Sequence, residues 1–446
     1  MTVALFLLGV LVIGVGLALS IALHEIGHLL PAKAFGVRVT QYMIGFGPTV
    51  WSRRRGETEY GLKAIPLGGY IRMIGMYPPH KGDAPGTVRE DSTGFVQQMA
   101  QEAKEYEAAQ YDPAEAHRTF VSLSVPRKIV VMLGGPTMNL LLSVLMIGVL
   151  VCGIGLPAVT PTVRAVSKCV LTADAPAGTD CEGRPAAPAL AAGIRPGDTL
   201  REIDGQPIRR WEDVTTAVRG AGDRTVPVVV ERDGQEVALE ATPIVDARPV
   251  LDEDGAVVRD QSGALVTEQV GFLGVEGTPD LVRQSPAVVP ELAWSTFSQT
   301  AQLVIGLPAR LVDVAKAAFG SEERDPNGPI GVVGVTRLAG EVAAADEPGF
   351  ELREKTGTLI SMLASLNMAL FVFNLLPLLP LDGGHVAGAL LEGARRMIAR
   401  LRGRPDPGPV DISRMLPLTN VVALLFLAMT VLLLYADIVK PIRLFP

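Results

Sequence analysis

The sequence predicts an α-helical polytopic membrane protein with four transmembrane helices and a β-rich, water-facing segment between the second and third. Three observations predict it. Four long apolar runs punctuate the chain of 446 residues. The mean hydropathy, +0.32, is too high for an ordinary soluble protein and too low for a chain made only of spans. Short β-type runs broken by turn residues fill 158–245. The length alone suggests several domains.

A bilayer core needs about 20 apolar residues in a helix. The first run extends from Val3 to Leu30, the second from Ile129 to Leu156, the third from Leu359 to Leu381 and the fourth from Leu416 to Tyr435. The first does not read as a signal peptide. No Lys or Arg precedes it, it is too long for an h-region, and it ends in His and Glu rather than small residues.

Lys and Arg select the cytoplasmic side. None precedes the first span, whereas Lys33, Arg38 and Arg53-Arg54-Arg55 follow it, Arg127 and Lys128 abut the second, and Arg395, Arg396, Arg400, Arg402 and Arg404 lie between the third and fourth. Both termini and the long segment after span two are therefore expected to be extracytoplasmic. Lys440 and Arg443 weakly oppose this. The expected division is 1–30 (first span), 31–128 (cytoplasmic side), 129–156 (second span), 157–285 (soluble domain), 286–355 (amphipathic or linker region), 356–382 (third span), 383–415 (cytoplasmic loop) and 416–437 (fourth span). A net charge of −7 with no concentrated basic face argues against nucleic acid as a partner.

In the soluble segment, Thr225–Glu231 and Glu236–Ala241 flank Arg232-Asp233-Gly234, a hairpin signal. Ahead of them, Ala192-Gly-Ile-Arg-Pro-Gly-Asp-Thr-Leu-Arg-Glu-Ile-Asp-Gly-Gln-Pro-Ile208 resembles the core signature of a PDZ domain, with Trp211–Val218 as a short helix. Such domains bind extended peptide at a sheet edge; the alternative is a domain that only blocks access. Residues 246–285 read as a further strand pair or linker, and 290–320 as a helix lying on the membrane or packed within the protein. Cys169 and Cys181 either pair or remain free thiols; an extracytoplasmic position permits pairing.

His24-Glu25-Ile26-Gly27-His28 closes the first span. Residues i and i+4 share a helix face, so both imidazoles can meet one ion, with Glu25 beside them to take a proton from water. Ionisable groups inside a span are costly, and a metal compensates them. Catalytic zinc takes three protein ligands and keeps one open position. Asp382 is the only acid at the end of the third apolar run and falls on the same side as His28; His385 is the competing third ligand. His80 and His117 sit in a polar stretch.

These residues resemble the site-2 proteases, and among them the bacterial RseP-like regulators of sigma-factor signalling. The resemblance rests on the HExxH of the first span and on Asn374…Pro377…Leu381-Asp382-Gly383. It extends to Gly45-Phe46-Gly47-Pro48, Pro66-Leu67-Gly68-Gly69-Tyr70, Gly135-Pro136-Thr137-Met138-Asn139 and one PDZ signature where some relatives carry two. It implies an α-helical four-span fold with a membrane-entering β-hairpin at 39–75 and one extracytoplasmic PDZ domain. It implies one Zn2+ on His24, His28 and Asp382, with Glu25 as the base. Asn374 would hold substrate or the developing oxyanion; Asn139 either faces the site or bonds a neighbouring helix. Gly45 and Gly47 belong to a hairpin edge that pairs with an unwound substrate, or serve tight turns only. The implied substrates are single-span membrane proteins such as anti-sigma factors, already cut outside by a site-1-type protease. The rivals are a membrane zincin with a Glu as third ligand and a catalytically dead scaffold presenting the PDZ domain.

Overall fold

The computed structural model describes residues 2–76, 90–92, 117–170, 180–250, 257–260, 263, 265–347, 349–410 and 416–443. The chain divides into two compact units, 1–153 with 285–446, and 154–284.

The first unit opens with α1 (Thr2–Ala34), 33 residues and about 50 Å long. Pro31 lies inside it and cannot donate to the Gly27 carbonyl one turn back. Two long antiparallel strands follow, β1 (Val39–Arg55) and β2 (Thr58–Ile74), with β3 (Glu90–Ser92) on the outer side of β2. The runs Val39–Ile44, Glu59–Ile65 and Tyr70–Ile74 are all extended. The glycine-rich stretch between the first two is not a hairpin turn. It is a bend inside β1, at Gly45 (φ 91°) and Gly47 (φ 82°), and the chain reverses at Gly56-Glu57 instead. The bend lets residues 41–44 pair on one side with 59–62 and on the other with 69–72, while 51–55 pair with 58–62. Tyr42, Ile71 and Met73 pack with Leu29, Val131 and Met132 into one core that joins this sheet to the first two spans.

The second span, α2 (Val125–Gly148), starts with Pro126 in its first turn and continues through a π-helical turn to Ile154. In the second unit come β4 (Leu156–Val166), α3 (Pro188–Ala191), β5 (Thr199–Ile203), β6 (Gln206–Pro207), α4 (Trp211–Arg219), β7 (Val226–Arg232), β8 (Gln235–Ala241), β9 (Ile244–Pro249), β10 (Thr267–Phe272) and β11 (Val275–Val282). One sheet runs in the order β11-β4-β5-β7-β8, and β9 and β10 form a separate pair. Asp233 and Gly234 both have positive φ, the conformation a two-residue hairpin turn requires. The interior is aliphatic, with Val163, Leu200, Ile203, Val214, Val228 and Val230 all nearly inaccessible. Cys169 and Cys181 are joined by a disulfide.

Back in the first unit, 286–355 is more structured than a linker. It carries α5 (Val289–Ile305), α6 (Leu307–Phe319) and α7 (Val332–Ala344). Its short apolar stretches, cut by Gly306, Gly320 and Pro329, were too brief to read as spans. The third span, α8 (Leu352–Asn374), stops at Asn374. Residues 375–381 form an irregular turn containing Pro377 and Pro380, which cannot continue a helix. The stretch expected as a cytoplasmic loop from 383 is instead mostly helix, α9 (Asp382–Leu401), with Asp382 in its first turn. Its apolar residues are spread on a helical period among arginines, a weak signal beside the adjacent spans. The last helix is α10 (Leu416–Val439). Among the described residues, α1, α2 with its π turn, α8 and α10 are long and apolar enough to cross a membrane. His80 lies outside the described residues, and His117 is exposed.

Candidate metal centre

Helical geometry brings His24 and His28 onto one face of α1, with ring centroids 4.8 Å apart. Their Nε2 atoms are 3.2 Å apart, and each is 3.3 Å from Asp382 Oδ2. His28 is fully buried, and His24 and Asp382 nearly so. Among the described residues this is the one group of three or more His, Cys, Asp or Glu side chains whose ligand atoms converge. His385 lies one turn further along α9, buried, and is not a member of that group.

The three edges, 3.2, 3.3 and 3.3 Å, test whether zinc fits. Donors bound at 2.0–2.1 Å in a tetrahedron lie roughly 3.3–3.4 Å apart. The triangle therefore has the size of one tetrahedral face. Among the described residues Asp382 Oδ2 has no hydrogen-bond donor, although it is buried. A cation answers that need. The donor set, two imidazoles and a carboxylate with no thiolate, is one that zinc takes in catalytic sites.

The surroundings fix the ligands. The Val131 carbonyl of α2 can only accept, so His28 Nδ1, 2.8 Å away, carries the proton. The Nε2 lone pair would then be free to bind a metal ion. Gly135 of α2 faces both imidazoles. A Cβ built there would stand 2.2 Å from His28 Nε2 and 2.7 Å from His24 Nε2, in the space a ligand-bound ion needs. One residue earlier, Gly134 and Gly27 touch backbone to backbone, since a Cβ on either would meet the other's carbonyl oxygen at 2.0–2.3 Å.

On the third side, Asp382 is set by the tight turn before it. A Cβ at Gly383 would meet the Leu376 carbonyl at 2.3 Å, and one at Gly384 the Leu379 nitrogen at 2.6 Å. Only a glycine pair lets 375–381 fold against the start of α9. Glu25 is buried beside the histidines. The sheet reaches it at Gly69, whose Cβ position is 3.0 Å from Glu25 Cγ, and Tyr42 Oη donates to the Ala22 carbonyl just ahead of the motif, at 2.9 Å.

Asn139, one turn beyond Gly135 on α2, is fully buried, and neither polar atom of its amide has a hydrogen-bond partner among the described residues. Asn374 is the last residue of α8, half-buried. Gly45 and Gly47 serve the bend in β1; a Cβ at Gly45 would collide with the Ile65 carbonyl at 2.6 Å. Sequence reasoning gave no role to Tyr42, Gly69, Gly134, Gly135 or Val131. The twin glycine in an apolar helix was the readable signal, since small residues mark close helix contacts.

A family model described as peptidase family M50 matches residues 12–405. The chain is 33% identical over 447 residues to a zinc metalloprotease Rip1 of Mycobacterium tuberculosis, covering 99% of this chain and all of that one. It is 31% identical to a zinc metalloprotease Rip1 of Mycolicibacterium smegmatis, with 99% and 100% covered. It is 25% identical to a zinc metalloprotease RasP of Geobacillus kaustophilus, over 83% of this chain and 86% of that one.

Proposed function

The chain belongs to peptidase family M50, the site-2 type of membrane zinc metalloprotease, and on that premise we propose the residues that do the work and the substrates they act on. His24, His28 and Asp382 hold the zinc. The observation that carries this is the triangle of donor atoms, matched in size to one face of a zinc tetrahedron.

The ion, when bound, supplies Lewis acidity that brings the pKa of a coordinated water toward ~7. Glu25 takes the proton from the attacking water and hands it to the leaving amine. His28 is kept in the correct tautomer by Val131. Asn374 and Asn139 orient the substrate carbonyl and steady its developing negative charge. The buried, unpartnered amide of Asn139 supports a role toward a ligand, because unmade hydrogen bonds inside a protein are costly. The β1–β2 sheet, bent at Gly45 and Gly47, offers an edge to a locally unwound substrate segment, since a peptide bond inside a helix is shielded.

The substrates are single-span membrane proteins of the anti-sigma-factor kind, trimmed outside by a site-1-type protease. Both termini and residues 157–285, as a PDZ domain, face the outside, and the metal centre lies toward the cytoplasm. The Arg and Lys distribution supports this, as does the Cys169–Cys181 bond, since disulfides persist in oxidising compartments. The domain would admit trimmed substrates and exclude bulky ones.

Glu25→Gln tests the central role. The variant is expected to retain zinc while losing about 10²–10⁴-fold or more in cleavage. A zinc-replete variant that cuts at the wild-type rate refutes the role of Glu25.

A further inference from the structure

Lys128, in the first turns of α2, places its Nζ 2.8 and 3.1 Å from the two carboxylate oxygens of Glu392 in α9. Both residues are almost inaccessible, at 4% and 3% exposure. Arg396 adds a second contact to Glu392 at 3.0 Å. The helices touch closely here, since a Cβ at Gly393 would come within 3.3 Å of Val125.

Lys128, Val131 and Gly135 stand at i, i+3 and i+7, on one face of α2. Val131 holds the His28 ring, Gly135 bounds both imidazoles, and Lys128 holds the helix that begins with Asp382. One helix face therefore gauges both halves of the metal triangle. The ion pair is suited to this. Sliding α9 by a single residue moves it about 1.5 Å and turns it about 100°. That would strand the desolvated ammonium of Lys128 and leave Glu392 only Arg396 of its own helix, an unfavourable state. An apolar contact would tolerate the slip.

We propose that Lys128 and Glu392 are positioning residues of the metal centre: their buried ion pair fixes the register of α9 on α2 and thereby holds Asp382 against His24 and His28. This rests on the reading of those three as the zinc ligands. Neither residue touches the ion or the substrate.

The test uses the full chain in detergent and reads zinc affinity by chelator competition, together with the visible spectrum of the cobalt(II)-substituted protein, which reports ligand geometry. Glu392→Gln is expected to weaken zinc binding about 10–100-fold, the range found when outer-shell partners are removed, and to alter the cobalt spectrum. Lys128→Arg is expected to retain both.

The molecule supplies its own control, a second buried pair, Arg324–Asp437, at 4% and 0% side-chain exposure. Asp437 also accepts from the Gly331 and Gly334 nitrogens and contacts no metal-centre residue in that network. Asp437→Asn is expected to lower thermal stability and leave zinc affinity and the spectrum unchanged. Wild-type affinity and spectrum in Glu392→Gln would overturn the proposal, and so would an equal loss in Asp437→Asn. If Glu392→Gln does not accumulate folded, Lys128→Met measured against Lys128→Arg reads the same difference, with equal affinities in the two refuting it. His28→Ala separates the premise from the inference. Zinc lost there but kept in Glu392→Gln leaves the ligand set standing and removes the clamp; zinc kept in both removes the ligand set as well.

Discussion

At the scale of single residues, the metal centre depends as much on missing side chains as on those present. Gly135 is the sharpest case, since any Cβ there enters the space between the two Nε2 atoms. Gly135→Ala is expected to weaken zinc binding by at least about tenfold with the fold retained, read by chelator competition; undiminished affinity would mean that α2 does not bound the site. His24, Glu25 and His28 were legible because helical spacing forces the imidazoles together whatever the tertiary context. Asp382 stood out as the one acid at the end of an apolar run, with His385 left open as its competitor, and it is Asp382 whose carboxylate converges on the two imidazoles. Gly135 was visible only as a glycine, because its meaning depends on which helix passes it. The Lys128–Glu392 pair was not legible at all: 264 residues separate its members, and no local pattern encodes that distance.

At the scale of elements, α9 and the bent sheet are what the sequence hid. The stretch from 383 reads as a basic loop because its arginines mask a helix that starts only after the Pro377–Pro380 turn. That turn sits against Gly383 with no room for a Cβ. Gly383→Ala should dislodge 375–381 and move Asp382. A shift on the order of 1 Å costs about 10²-fold in rate, so a corresponding fall in kcat with little change in KM is expected in a cleavage assay. In the second unit, Asp198 is buried and receives both Nε and a terminal nitrogen of Arg232 at 2.7 and 2.8 Å. That guanidinium, aided by the Arg195 backbone N–H, holds the carboxyl below its usual range. A depressed carboxylate stabilises the fold above its unfolded pKa, about 3.9, and the stabilisation is lost as pH falls below that value toward the folded one. Asp198→Asn is therefore expected to lower the unfolding temperature of residues 154–284 at pH 7, with the difference from wild type shrinking below pH ~4. A pH-independent difference would point to packing instead of charge.

At the scale of the whole molecule, the chain pairs a unit that holds the four membrane-length helices and the candidate ligand triad with an inserted β-rich unit that holds none of that triad. The insertion is clean, because Leu156 and Val282 are cross-strand partners and their neighbours enter and leave side by side. Excising 157–281 should leave the membrane unit able to bind zinc. If the insert acts as a gate, the shortened enzyme cuts untrimmed single-span substrates that the full chain spares, which a paired cleavage assay measures; unchanged selectivity would remove the gating role. Four membrane-length helices were legible from hydropathy, and the β-rich insert from its short β-type runs and turn residues. Helix was legible over 290–320, but not its break at Gly306 nor the helix Val332–Ala344, because each apolar stretch is short and their packing against α1, α8 and α10 is what defines them.

The convergence of α1 and α9 on one ion is tested most directly by X-ray absorption at the zinc edge of the purified, metal-loaded protein. One zinc per chain is expected, with only nitrogen and oxygen in the inner shell at about 2.0–2.1 Å and a scattering pattern of two imidazoles. A third imidazole would replace Asp382 with His385. Sulfur at about 2.3 Å, or an inner shell with fewer than two imidazoles, would contradict the ligand set altogether.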